Sequence, residues 1–172
     1  MEKIFHWLLT FNATSWIIVI YGIKEEWSIW KIPSCIFAVV LLAIPIITTI
    51  LSILITTFLS SDSLSEGNIE LANNDFLPVY LGYFFIGLGV DDSVTMFFVY
   101  IIIFVFTYIS RAQYFNPILI LLGYNFYYVK TKGESQIFII SKEKIKQSSN
   151  IGFENLKRIN DSTFISKKGK KK

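Results

Sequence analysis

The chain is short, at 172 residues, and 53% hydrophobic and 17% aromatic with only 17% charged residues. Soluble domains carry about 25% charged residues, so this balance excludes an ordinary soluble globule and points to a membrane protein. A single cysteine, Cys35, and a single histidine, His6, exclude a disulfide framework and a Cys/His zinc cluster.

The net charge of +3 conceals an asymmetry. Residues 1–111 hold four basic and nine acidic residues, whereas residues 112–172 hold twelve basic and four acidic. Between Lys31 and Arg111 lie 79 residues without Lys, Arg or His.

The first apolar segment runs from about residue 4 to 23. A signal peptide would need a stronger basic start than MEK and a small-residue cleavage site, and KEEW follows instead, so the segment reads as a retained helix. The second segment, 32–59, has 28 uncharged residues, more than the ~20 that cross a bilayer. Pro33 suits its first turn, Pro45 should kink it, and Cys35 inside it reads as a packed thiol. Thr48, Ser52 and Thr56 recur at i, i+4 and i+8 on one face, with Thr49 and Thr57 beside them. Such a stripe either lines a pore in an oligomer or bonds back to its helix and glues neighbours together.

Residues 60–75, SSDSLSEGNIELANND, read as a polar acidic loop. Segments 76–90 and 94–109 follow as a tight pair joined by Asp91, Asp92 and Ser93. Each is short for a ~30 Å hydrocarbon core, so extension back through LANND and forward through SRAQYF is expected, giving a fourth span of about 94–112. Two adjacent aspartates are costly in lipid and mark a turn at a membrane face; a metal or proton site is the sharper alternative. Gly82, Gly87 and Gly89 permit close helix approach without forming a GxxxG pattern.

The apolar run 117–129 opens on the breaker Asn116-Pro117 and has only 13 residues. Leaving it out gives four spans; counting it as a short or re-entrant span gives five and reverses the sides of two loops. The basic C-terminal third places the C-terminus in the cytoplasm. Tyr124–Thr131 and Gln136–Ser141 are β-branched and aromatic runs around Lys132-Gly133-Glu134-Ser135, a hairpin pattern. Both faces are apolar, and a lone hairpin is marginal, so it needs a cover. KEKIKQSSN reads as a turn or short helix, and Ile151, Phe153, Leu156, Ile159, Phe164 and Ile165 supply further apolar positions. The lysine-rich end, 167–172, reads as a solvated tail or a contact to anionic lipid, with no aromatic residue to stack bases.

The expected fold is therefore an α-helical integral membrane protein: four transmembrane helices (about 4–23, 32–59, 76–90 and 94–112, within 1–123) followed by a small cytoplasmic β-rich subdomain at 124–166 and a basic tail. No phosphate loop, HExxH, GxSxG or CxxC motif is present. No enzyme, cofactor or resident metal is expected.

The succession RAQYFNPILILLGYNFYYV (111–129), GESQIFIISK (133–142) and FENLKRINDSTFI (153–165) resembles the KwaA family, the membrane subunit of the Kiwa anti-phage defence system. The apolar front half with its short DDS link is similar to that family's four-helix plan. The resemblance implies a bacterial inner-membrane protein that forms homo-oligomers, expected to be tetramers. It also implies a cytoplasmic DNA-binding partner, KwaB, that acts on phage DNA while the membrane subunit senses and anchors. Direct sequence-specific nucleic-acid binding is not expected of this chain. On this reading the hairpin docks the partner through Tyr124, Phe126, Tyr128, Lys157, Arg158, Asn160 and Asp161. The alternative is a small oligomeric channel lined by Thr48, Ser52 and Thr56.

Overall fold

The computed structural model describes residues 2–29, 32–64, 67–110, 116–131, 133, 135–144 and 153–166. Its helices are α1 (Glu2–Lys24), α2 (Ser34–Ile55), α3 (Phe76–Gly89), α4 (Ser93–Ile109) and α5 (Pro117–Leu121). A 3-10 turn, Thr56–Phe58, follows α2. The strands are β1 (Ser61–Leu64), β2 (Gly67–Leu71), β3 (Asn125–Thr131), β4 (Gln136–Ser141), β5 (Phe153–Arg158) and β6 (Thr163–Ser166). Two compact units result: Trp7–Ser52 with Leu77–Tyr114, and Met1–His6 with Ile53–Phe76 and Phe115–Lys172.

The expected fold of four transmembrane helices and a small C-terminal subdomain is overturned. Among the described residues only Phe5–Lys24 and Ser34–Phe58 are helical stretches long and apolar enough to cross a membrane. At ~1.5 Å per residue, α3 and α4 reach about 21 and 26 Å, short of a ~30 Å core. The expected extension through LANND fails because Leu71 closes a strand and Asn73–Asp75 form a turn. Residues of SRAQYF beyond Ser110 fall outside the described residues up to Phe115. The run 117–129 is divided into five residues of helix, a turn and a strand. Cys35, expected to be packed, is exposed on α2.

The acidic loop is strand. β1 and β2 join four C-terminal strands in a six-stranded sheet of order β1-β5-β6-β4-β3-β2. β3 and β4 form the hairpin legible in the sequence, paired from Asn125↔Ser141 to Lys130↔Gln136. β4 and β6 pair in parallel and the other neighbours antiparallel, so β1 and β2 run in the same direction on opposite edges. Leu64 and Gly67 are three residues apart, hence within about 11 Å. The edges of a flat six-stranded sheet stand about 24 Å apart. The sheet must therefore curl strongly and bring its two edges near each other, so that β1 and β2 act as the two parts of one strand in a five-stranded barrel.

One face of this sheet is the barrel interior. Ile69, Tyr127, Val129, Ile137, Ile139, Phe153, Leu156 and Phe164 form its core with Leu64 against it, so every strand contributes. Gly67 sits where the two-part strand turns into its second half. A Cβ there would overlap Val129 Cγ1 and come within 2.9 Å of the Lys130 carbonyl oxygen. KEKIKQSSN lies outside the described residues from Ile145 onward, as do Ile151 and the tail 167–172.

Candidate functional site

In the helical unit, buried polar side chains share the interior with an apolar cluster of Ile17, Tyr21 and Met96, while many large apolar side chains are exposed. Thr14 (0% exposed) and Ser52 (3%) are buried, as are Thr10, Asn12, Ser15 and Thr49. Phe85 (70%) and Phe106 (68%) are exposed, as are Val39, Ile47, Phe84, Phe97, Phe98 and Ile102. Soluble proteins bury such aromatics and expose such hydroxyls. Exposed apolar area on this scale marks a surface for lipid or for another protein.

Most of the buried polar groups are bonded to one another or to their own helices, whereas Asn12 Oδ1 has no partner among the described residues. Asn12 Nδ2 on α1 donates to Ser52 Oγ on α2 at 2.7 Å, and Ser52 Oγ donates to the Thr48 carbonyl at 2.8 Å. Thr14 donates to the Thr10 carbonyl at 2.9 Å and lies 3.4 Å from the Tyr100 hydroxyl. The hydroxyl stripe singled out on α2 behaves alike. Thr48 donates to Ile44 O at 2.8 Å, Thr49 to Pro45 O at 2.6 Å and Thr56 to Ile53 O at 2.6 Å. This back-bonding hides hydroxyl protons in a helix and leaves Ser52 as an acceptor between helices.

Asp91 and Asp92 lie in the short link between α3 and α4. Asp92 caps α4, its carboxylate accepting from Thr95 N at 2.7 Å and Thr95 Oγ1 at 2.8 Å. Those two bonds, the backbone one first, hold its carboxyl below the usual aspartate value. Asp91 accepts from Lys24 Nζ at 2.6 Å, and the same ammonium donates to the Val90 carbonyl at 2.9 Å. The end of α1 is thereby tied to the α3–α4 link. Among the described residues no three His, Cys, Asp or Glu side chains gather to hold a metal. Gly87 is where α1 and α3 approach closely: a Cβ there would stand 2.8 Å from Ile20 Cγ2, whereas one at Gly82 or Gly89 would meet nothing within 4 Å.

In the barrel, the residues expected to dock a partner fall into two groups. Tyr124 and Phe126 are buried. Burial pushes the Tyr124 phenol up, and Lys142 Nζ stands 5.0 Å from its ring centroid. Phe126 stacks on Phe138 at 5.7 Å, and Tyr128, half-buried, tilts against Phe138 at the same distance. The other group is at the surface, on β5 and the β5–β6 turn. Arg158 pairs with Asp161 at 2.6 Å, and Asn160 Oδ1 accepts from the Ser162 amide at 2.9 Å. Lys157 Nζ reaches the two-part strand, donating to Leu59 O at 2.9 Å and Ser61 Oγ at 2.8 Å.

Counting β1 and β2 as one strand, the strand order and pairing senses are those of the oligonucleotide/oligosaccharide-binding barrel. Barrels of that type bind single strands on the outward face of the hairpin equivalent to β3–β4. Here Phe126, Phe138 and Ile140 on that face are buried. Sequence reasoning found the hairpin but missed the barrel, whose remaining signal was the alternation Asn68-Ile69-Glu70-Leu71 inside an acidic stretch.

Comparison with known proteins adds one finding. The family model described as anti-phage protein KwaA matches residues 5–165, nearly the whole chain. No curated protein and no solved structure matches it.

Proposed function

Because the chain belongs to the KwaA family of anti-phage proteins, and so to anti-phage defence, we propose that it is the membrane-embedded sensor and scaffold of a bacterial defence complex. On this reading α1 and α2 anchor the chain in the inner membrane. The barrel stands in the cytoplasm and holds a DNA-binding effector of the KwaB kind, and homo-oligomers, as tetramers, present several barrels together. The chain itself catalyses nothing and needs no cofactor.

The observation that carries the proposal is the exposed apolar surface of the helical unit, Phe85 and Phe106 among it, over an interior that holds hydroxyls and Asn12. Lipid is the solvent in which that arrangement is favourable, since interhelical polar contacts gain strength there and exposed aromatics cost nothing. The cytoplasmic placement rests on charge, because residues 112–172 carry twelve of the sixteen basic residues. The burial of Phe126 and Phe138 on the β3–β4 face supports a division of labour in which DNA is left to the partner.

The surface of the β5–β6 turn is the favoured dock, and it can be tested in the full chain. Exchanging Arg158 and Asp161 (Arg158→Asp with Asp161→Arg) keeps their ion pair and reverses the charge presented. The expected result is that the partner co-purifies through the membrane with the natural chain and not with the exchanged one. Retention by both would move the dock elsewhere, and absence of any partner with the natural chain would overturn the scaffold reading.

A further inference from the structure

The two halves of the barrel's two-part strand differ in the regularity of their pairing. β2 pairs with β3 in unbroken register over five positions, from Gly67↔Thr131 to Leu71↔Tyr127. Beyond it the Ala72 amide donates to Phe126 O at 2.8 Å. Asn73 Oδ1 accepts from Phe126 N at 2.7 Å, and Asn73 Nδ2 donates to Asn125 Oδ1 at 2.9 Å. β1 is shorter, with three paired positions against β5 and a register break between Asp62 and Leu64. Its side chains Ser61, Asp62 and Ser63 are exposed, and only Leu64 turns toward the core. What fixes its start is the Lys157 ammonium on Leu59 O and Ser61 Oγ, with the Arg158 amide donating to Ser60 O at 3.1 Å.

The weak half is the one attached to α2. From the end of the 3-10 turn at Phe58 only Leu59 and Ser60 precede β1, so little slack separates helix from strand. The helical stretch Ser34–Phe58 is 25 residues, about 37 Å at ~1.5 Å per residue, against a ~30 Å core. A helix longer than the local core responds to bilayer thickness by tilting or shifting, and its C-terminal end moves with it.

We propose that the β1–β5 seam is a latch: displacement of α2 in the bilayer peels β1 from β5, while β2 stays bolted to β3. Opening would bare the edge of β5 and the apolar side chains of Phe153 and Leu156, both buried in the closed barrel. The closed barrel is then the resting state, and the open seam is the form in which a membrane disturbance becomes readable on the barrel. This inference rests on the membrane reading of α2 above.

Amide exchange measured by mass spectrometry on the full chain in phosphatidylcholine nanodiscs tests it without partner or phage. Lys157→Met is expected to raise exchange in 61–64 and 154–158 by roughly ten- to hundredfold, the worth of a hydrogen bond to a charged donor, and to leave 67–71 and 126–130 unchanged. In the natural chain, a change from thin (di-C14) to thick (di-C22) acyl chains is expected to shift exchange at 61–64 and 154–158 and not at 67–71 or 126–130. Equal changes in both halves would overturn the latch, and so would indifference of 61–64 to bilayer thickness. Failure of the chain to incorporate into nanodiscs would instead sink the membrane reading, and the Lys157→Met comparison in detergent would still decide whether the seam opens independently.

Discussion

Asn12 on α1 donates its amide to the Ser52 hydroxyl on α2 at 2.7 Å, and both side chains are buried. The bond joins the two helices long enough to span a membrane. Interhelical polar bonds in membrane proteins average about 0.6 kcal/mol and reach about 1.7. Asn12→Leu should lower stability in detergent by about that range, read as the midpoint of a denaturant titration followed by circular dichroism. Ser52→Ala should reproduce most of the loss, and the double variant should cost little more than either single one.

Gly67 touches Val129 across the barrel wall, with no room for a Cβ. Gly67→Ala should destabilise the barrel by about 1–3 kcal/mol, the usual cost of overpacking. Val129→Ala removes the methyl group it would strike and should restore part of the loss. A thermal melt of the four variants of this cycle gives the coupling; strict additivity would show that the crowding lies with the Lys130 backbone instead.

Asp92 is the N-cap of α4, its carboxyl held low chiefly by the Thr95 amide and then by the Thr95 hydroxyl. A group whose folded value lies below its unfolded one adds stability above the unfolded value and loses it as pH falls through the folded one. The first turn of α4 should therefore be firm at neutral pH and fray as pH falls below about 4. The Thr95 amide shift in an NMR titration is the readout. Asp92→Asn keeps an accepting oxygen and should flatten that titration without unwinding the turn.

Lys24 and Asp91 make a short ion pair, but Asp91 is 91% exposed while Lys24 also holds the Val90 carbonyl. Exposed pairs contribute little. Asp91→Asn should leave the melting midpoint nearly unchanged, whereas Lys24→Met should lower it measurably, because the Val90 carbonyl loses its donor.

What the sequence disclosed follows from where its periodicity is clean. The β3–β4 hairpin was legible because Tyr124–Thr131 and Gln136–Ser141 are uninterrupted β formers around a glycine turn. α1 and α2 were legible because length and lack of charge suffice to mark a long apolar helix. β1 was not: Ser61, Asp62 and Ser63 face outward, and only Leu64 enters the core. A strand with one buried side chain has no pattern to read, and its place depends on β5, some 90 residues later. The length of α3 was misjudged because LANND, taken as a helix extension, belongs to a strand end and a turn, while residues 111–115 after α4 lie outside the described residues. Among the docking residues, Tyr124 and Phe126 looked like surface aromatics because nothing in the sequence reveals that the hairpin's outer face is covered.

The two-part strand also orders the birth of the molecule. Ser61 leaves the ribosome more than 90 residues before Leu156 and Ser166, whose strands must close the barrel with it. At synthesis rates of about 5–20 residues per second that interval lasts several seconds or more. α2 has by then emerged, α3 and α4 emerge during the interval, and β1 waits for its partner β5 throughout. The helices are therefore complete while the barrel is still open. A nascent chain that stalls before β5 would carry all four long helices but present β1 and β4 as bare edges, the form in which it is most exposed to proteolysis and misassembly.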